Sequence, residues 1–274
     1  MGVSCGSIKC VSLTPGILDV MLLSEVLNWP LPAGVNALCS TRQGGVSLPP
    51  FDSWNLGDHV GDNPMAVANN RQHLQAQLGS ARAVFLKQVH GVDVVQLTPE
   101  TMDGSAADAC VTTRSHLACT IMVADCLPIL LTDDQGRAVA AAHAGWRGLS
   151  SGVIEQTVHA LCGQAQVGAA SLRVWLGPCI GPMAFEVGAE VREAFVKPDA
   201  SASAYFLPHP THPNKWVANL SGLARHRLKA LGVRSISGND GSLAWCTVAQ
   251  SSRFFSYRRD GATGRFAACI WLSA

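Results

Sequence analysis

Three residues of this 274-residue chain stand where apolar runs stop, and each can act as a ligand or a nucleophile. His90 follows the run from Ala83 to Val89. Cys126 follows the run CTIMVAD that ends at Asp125, and His143 follows the run AVAAA and precedes the small-residue turn Ala144-Gly145. Two imidazoles and a thiolate form a borderline-soft donor set that suits Zn²⁺. Three protein ligands with a fourth position open describe a catalytic zinc, whereas a structural zinc normally has four. The separations are long and match no short zinc pattern, so spacing alone leaves other assignments standing. A His₂Cys set with a weak axial methionine holds copper in electron-transfer sites, and Met122 lies close to Cys126. Against copper, the nine histidines include no His-x-His pair. Cys126 activated by His143 would be a hydrolytic nucleophile. With Cys179 or His59 as a fourth ligand the zinc would be structural, and the chain a non-catalytic binding protein.

Other candidates surround these three. Asp125 either caps a strand end or orients a ligand histidine and transfers a proton. Arg42, Arg147 and Arg259 each lie beside glycines in turn-like segments, where a guanidinium fork either binds phosphate or carboxylate or is a solvated loop charge. The segment GPCIGP (177–182) carries two prolines that remove backbone donors, so it is no phosphate-binding loop. His209 and His212 stand in PHPTHP and read as an exposed proline-rich loop, not a second metal site.

The elements that must position these residues follow from pattern. Asn63-Pro64 opens a helix that stops at Gly79. Ala83 to Val89 and Val92 to Leu97 read as two strands meeting in a hairpin or sharp corner. Cys119 to Asp125 and Ala138 to Ala142 are buried strands. Further helices are expected over 150–162, 188–196 and 216–231, and strands over 172–176 and 233–236, while 253–261 and 264–272 read as a strand, a glycine turn and a last strand. Strands and helices mix without a strict βαβ repeat, so a mixed α/β (α+β) fold fits better than a doubly wound one. Residues 1–22 are weakly patterned and read as an extension. With no internal repeat and no clean linker, residues 23–274 read as one domain, with mixed sheets flanked by helices.

Composition bounds the rest. The chain is 48% hydrophobic and 14% charged, which supports a sizeable core and argues against disorder. Its net charge of +1 gives no basic field, so nucleic acid is not an expected partner. Ten scattered cysteines with no CxxC pair read as small core hydrophobes in a reducing cytoplasm. The N-terminus lacks a signal-peptide pattern, and Gly6 breaks a myristoylation motif. The run Leu117 to Leu131 is too short to span a membrane and is interrupted by Asp125. No membrane association is expected, and the state is a monomer or homodimer.

Seven blocks in order, TRQGGVS (41–47), NLGDHVGD (55–62), KQVHG (87–91), ADCLP (124–128), AHAGWRG (142–148), GPCIGP (177–182) and YRRDG (257–261), resemble the bacterial YfiH or laccase-domain family, which also includes the human FAMIN protein. The resemblance covers about residues 35 to 272. It implies a single mixed α/β domain and a zinc held by two histidines and a cysteine, which match His90, Cys126 and His143. It also implies purine nucleoside phosphorolysis of adenosine, inosine and methylthioadenosine, together with adenosine deamination. Older naming of the family as laccases or polyphenol oxidases leaves Cu²⁺ as the alternative metal. A naming as peptidoglycan editing factors leaves a cysteine-dependent hydrolase of peptidoglycan precursors. For deamination, zinc would activate a water toward C6 of adenine, with Asp125 as the proton shuttle. For phosphorolysis, Arg42, Arg147 and Arg259 are the candidates for the phosphate. Asn55 and Gln88 are candidate contacts to base or ribose.

Overall fold

The longest apolar runs become the centre of two sheets. The computed structural model describes residues 21–22 and 29–273, so the N-terminal extension lies almost wholly outside the described residues. The strands are β1 (Met21–Leu22), β2 (Val35–Cys39), β3 (Arg82–Phe85), β4 (Val94–Gln96), β5 (Ala109–Thr112), β6 (Leu117–Val123), β7 (Leu127–Asp133), β8 (Val139–Ala144), β9 (Leu172–Leu176), β10 (Glu186–Val187), β11 (Phe206–Pro208), β12 (Trp216–Ala218), β13 (Ser235–Gly238) and β14 (Phe266–Leu272). The helices are α1 (Pro64–Leu78), α2 (Trp146–Ser151), α3 (Val153–Ala165), α4 (Ala189–Val196), α5 (Leu220–Ala230) and the single turn α6 (Tyr257–Asp260).

One sheet has five strands in the order β1-β2-β14-β6-β3, and a second has six in the order β13-β9-β7-β8-β5-β4. Both mix parallel pairs, such as β3 with β6 and β4 with β5, with antiparallel ones. Every residue of β6 and β7 is buried, because these strands are covered on both faces. Alternation along β6 sends Cys119, Ile121 and Val123 toward the second sheet, where they meet Leu130, Val139, Ala141 and Trp175. Its other face, with Ala118 and Met122, packs against Leu74 and Leu78 of α1. The outer face of the six-stranded sheet packs Ile129, Leu131 and Ala142 against α3, α4 and α5. The result is four layers, with helices outside and two sheets inside. Each fully buried aliphatic side chain between the sheets contributes about 1.5–3 kcal/mol. A small third sheet, β10-β12-β11, flanks the six-stranded one.

The chain passes from the first large sheet to the second at two places that matter. One crossing joins β3 to β4 and the other joins β6 to β7. The expected pairing of the strands on either side of His90-Gly91 is therefore a corner and not a hairpin, since β3 pairs with β6 and β4 with β5. Other boundaries also differ from expectation. The helix expected over 150–162 starts earlier, as α2, and bends at Gly152, whose φ of 108° lets α3 restart. Gly163 is exposed inside α3, and the buried Leu161 and Ala165 on either side carry the helix through it. Residues 216–218 form the central strand of the small sheet before Asn219 caps α5. The strand expected from Arg253 toward the turn at Gly261 is instead a turn leading into α6, started by Ser256, whose side chain accepts from the Arg259 amide.

Candidate metal centre

His90 and Cys126 lie on the two crossings, and His143 lies near the end of β8. Pro128 of β7 pairs with His143, which brings Cys126 alongside the imidazole. The three donor atoms lie within 4.8 Å of one another, and Cys126 Sγ is 3.8 Å from His90 Nε2. The two imidazole rings meet edge to face, 4.8 Å between centroids. The chain adopts positive φ at both crossings, 62° at His90 and 94° at Asp125. Such backbone strain in non-glycine residues concentrates at functional sites. Gly145 completes the centre by its lack of a side chain. A Cβ there would lie 2.9 Å from His90 Cδ2 and 3.0 Å from Cys126 Sγ.

One buried carboxylate fixes the arrangement. Asp108 Oδ1 accepts from His143 Nδ1 at 2.7 Å and from the His90 amide at 2.9 Å. Its Oδ2 accepts from the amides of Val89 (3.1 Å) and Gly91 (2.7 Å). A carboxylate partner on Nδ1 leaves the Nε2 lone pair of His143 free to ligate. Burial works to raise the Asp108 carboxyl, but the bonds from His143 and the Gly91 and Val89 amides hold it below the usual carboxylate range. Burial likewise opposes charge on Cys126, yet the neighbouring His143 and His90 pull the thiol down to about 6. His143 is raised to about 9, against its burial, by the Cys126 thiolate and by Asp108. A ready thiolate, an imidazole of fixed tautomer and a second imidazole are the donors that a soft divalent metal takes. The residues fit such an ion.

The centre opens onto a cleft of about 490 Å³ whose walls include Gln88, Asp125, Trp146, Arg147, Tyr257 and Arg265. Arg147 lines it with its guanidinium 4.5 Å from the Trp146 ring centroid. Gln88 lines it too, but its amide is turned onto the Met122 backbone, donating at 2.8 Å and accepting at 2.9 Å. Asp125 borders the cleft without touching a ligand histidine. Its oxygens accept from Thr247 Oγ1 (2.5 Å) and from the Arg258 amide (2.6 Å), so Asp108 does the orienting that the sequence suggested for Asp125. His59 stands exposed at the rim, and Cys179 is buried outside the ligand group with its thiol pushed up by burial.

Arg42, Arg259 and Asn55 are placed outside the cleft. Arg42 clamps its loop through Asp52 and the Ser251 carbonyl, and Arg259 is spent on Asp260 and the carbonyls of Thr247, Val248 and Phe254. Asn55 is wholly buried. Its Oδ1 accepts from the amides of Gly57 (2.9 Å) and Arg265 (2.8 Å), so it supports a cleft arginine from below. Asp108 and Arg265 are the residues that sequence reading passed over. Asp108 opens the run ACVT as any strand-flanking charge does, and Arg265 follows Gly264 as one more turn arginine.

A second convergence exists in the loop read as exposed. Glu186, His209 and His212 bring ligand atoms within 4.8 Å. Nδ1 of His209 accepts from the amides of Thr211 (3.3 Å) and His212 (3.1 Å), so Nε2 carries the proton that faces Glu186. The two rings stack almost parallel, 8° apart and 4.4 Å between centroids. The cluster holds the loop by hydrogen bonds.

A family model described as a multi-copper polyphenol oxidoreductase laccase matches residues 36–273. The chain belongs to this laccase-domain family. The solved structure of Neisseria meningitidis protein NMB0706, described as family-model DUF152, is similar, with a TM-score of 0.85 and 44% identity over 93% of this chain and all of that one. Two relatives are named purine nucleoside phosphorylases. The Escherichia coli protein YfiH is 50% identical over 248 residues, 90% of this chain and 98% of its own. A Pseudomonas aeruginosa protein is 50% identical over 245 residues, 89% of this chain and 96% of its own. The laccase-domain architecture of mixed sheets and helices in one domain agrees with the mixed α/β fold expected from pattern. Among the described residues no helix is long and apolar enough to cross a membrane.

Proposed function

We propose that this chain is a zinc-dependent purine nucleoside phosphorylase, acting on adenosine, inosine and methylthioadenosine. The observation that carries the reading is a three-donor centre that opens onto a cleft with both apolar and cationic walls. The names of the two relatives support it. In the reaction the C1′–N9 bond breaks with its electron pair going to the purine, and a phosphate oxygen bonds to C1′. The purine leaves with a proton. Leu86, Met122, Ile180 and Phe185 provide apolar wall for a purine ring, and Trp146 and Tyr257 provide aromatic faces. Arginines at the wall oppose the charge of phosphate. When bound by His90, Cys126 and His143, the metal supplies Lewis-acid stabilisation of developing negative charge. We assign Asp125 the proton transfer, because it is the carboxylate at the cleft wall. The same centre supports hydrolytic deamination of adenosine at C6, as a second activity.

The test is direct. The protein is purified without added metal, its zinc and copper are measured, and adenosine is supplied with and without phosphate. Adenine and ribose 1-phosphate appearing only with phosphate support phosphorolysis, and inosine supports deamination. Full turnover in Cys126→Ala would overturn the metal mechanism. The description of the matched family favours one alternative, copper with phenol oxidation. Full copper occupancy together with oxidation of a phenol would replace the present reading.

A further inference from the structure

Arg265 differs from six other arginines of the chain in how its donors are used. Arg42, Arg71, Arg137, Arg173, Arg227 and Arg259 each face a carboxylate within 3.2 Å or less. Arg265 makes no ion pair among the described residues. Its Nη1 donates to the carbonyls of Thr263 and Gly264, both at 3.0 Å, which fixes the plane of the guanidinium. Its Nε and Nη2 have no hydrogen-bond partner among the described residues, and the side chain lines the cleft beside Cys126 and Asp125.

The seat beneath it is built. Asn55 Oδ1 accepts from the Arg265 amide at 2.8 Å, and the Leu56 amide donates to the Arg265 carbonyl at 3.0 Å. Gly57 makes room for the stem, since a Cβ there would lie 2.8 Å from Arg265 Cγ. The block NLGDHVGD thus positions an arginine without itself entering the cleft. A half-buried cation with a fixed plane and two free donors on one edge of the cleft favours an anion there. The carboxylate of Asp125 is already engaged by Thr247 and Arg258. Nε and Nη2 together present the side-on fork that takes two oxygens of a tetrahedral oxyanion.

We propose that Arg265 is the binding residue for inorganic phosphate, gripping two of its oxygens through Nε and Nη2 beside the metal centre. As the subsite of the co-substrate, it rests on the phosphorylase reading. Arg147, exposed and stacked on Trp146, and Arg258, half spent on the carbonyls of Ala184 and Glu186, close the other side of the cleft.

The experiment titrates inorganic phosphate into the metal-loaded full-length protein without nucleoside, read by ³¹P line broadening and by thermal shift. Phosphate KM is then measured with inosine. In Arg265→Ala, phosphate affinity falls roughly 10- to 100-fold and phosphate KM rises in parallel, while zinc content and inosine affinity hold. Arg265→Lys recovers part of the loss. Gly57→Ala, which keeps the arginine but displaces its stem, also weakens phosphate and keeps the test decisive should Arg265→Ala fold poorly. Phosphate affinity and KM unchanged in these variants, with inosine still cleaved, would overturn the subsite and leave the phosphorylase reading intact. Phosphate bound through Arg265 with no nucleoside cleavage would keep the subsite and overturn the activity.

Discussion

Asp108 Oδ1 stands 2.7 Å from Nδ1 of His143, and the same oxygen accepts the His90 amide at 2.9 Å. One carboxylate therefore sets the tautomer of one ligand and the backbone turn of another. Replacing it by asparagine keeps the size but turns an amide N–H₂ toward a backbone N–H or toward His143. Asp108→Asn is expected to lower zinc affinity about 10- to 100-fold, with the far-ultraviolet circular dichroism unchanged. Competition with a chromogenic chelator measures it, and wild-type affinity would remove Asp108 from the centre.

Gly145 is expected to tolerate no side chain. A methyl group 2.9 Å from His90 Cδ2 and 3.0 Å from Cys126 Sγ must push the two ligands apart. Gly145→Ala should lose most bound zinc while its Tm, compared with the metal-free wild type, drops by only a few degrees. Full zinc by atomic absorption in this variant would contradict the geometry.

Metal stoichiometry should be one ion per chain. The Glu186–His209–His212 cluster keeps the His209 Nε2 proton and stacks its rings, so His212→Ala is expected to leave zinc content unchanged and Cys126→Ala to abolish it. Two ions per wild-type chain, one of them lost in His212→Ala, would show the reverse.

Asp133 gives a pH dependence of stability. Its buried carboxylate accepts from the amides of Gln135, Arg137 and Ala138 and from the Arg137 guanidinium, closing the β7–β8 turn. Burial raises its carboxyl, but these bonds outweigh it and hold it below the usual range. A depressed carboxyl stabilises the fold fully above the unfolded value near pH ~4 and loses that contribution as pH falls through the folded value. Asp133→Asn should cost about 1–3 kcal/mol at pH 7. The gap between the two proteins should narrow steadily below pH ~4. A gap that stays constant down to acid pH in urea titrations would refute the assignment.

His90, Cys126 and His143 were legible in sequence because a buried strand ends where its apolar run ends, and a polar ligand there marks the rim of a core. Asp108 was not, because its role depends on β5 lying beside β8, a long-range register that no local pattern states. The arginines divide for a similar reason. Arg42, Arg259 and Arg265 all sit near glycines, and only the folded chain separates the two that clamp their own loops from the one left facing the cleft. The helix Pro64–Leu78 was readable because Asn63 caps it and Pro64 opens it. The strand before α5 was hidden because Trp216–Ala218 continues an apolar pattern into a helix.

The two sheet crossings also have a mechanical consequence. His90 and Cys126 ride on the only two links between β3 and β4 and between β6 and β7, while His143 is anchored in the six-stranded sheet. An ion shared by all three would act as a rivet through the rim of the sandwich, resisting any sliding of one sheet over the other. Chelation should then speed amide exchange at the rim ends of β3 and β6 before it affects the strands' far ends. The proposed catalytic centre and the structural joint are, on this geometry, the same few atoms.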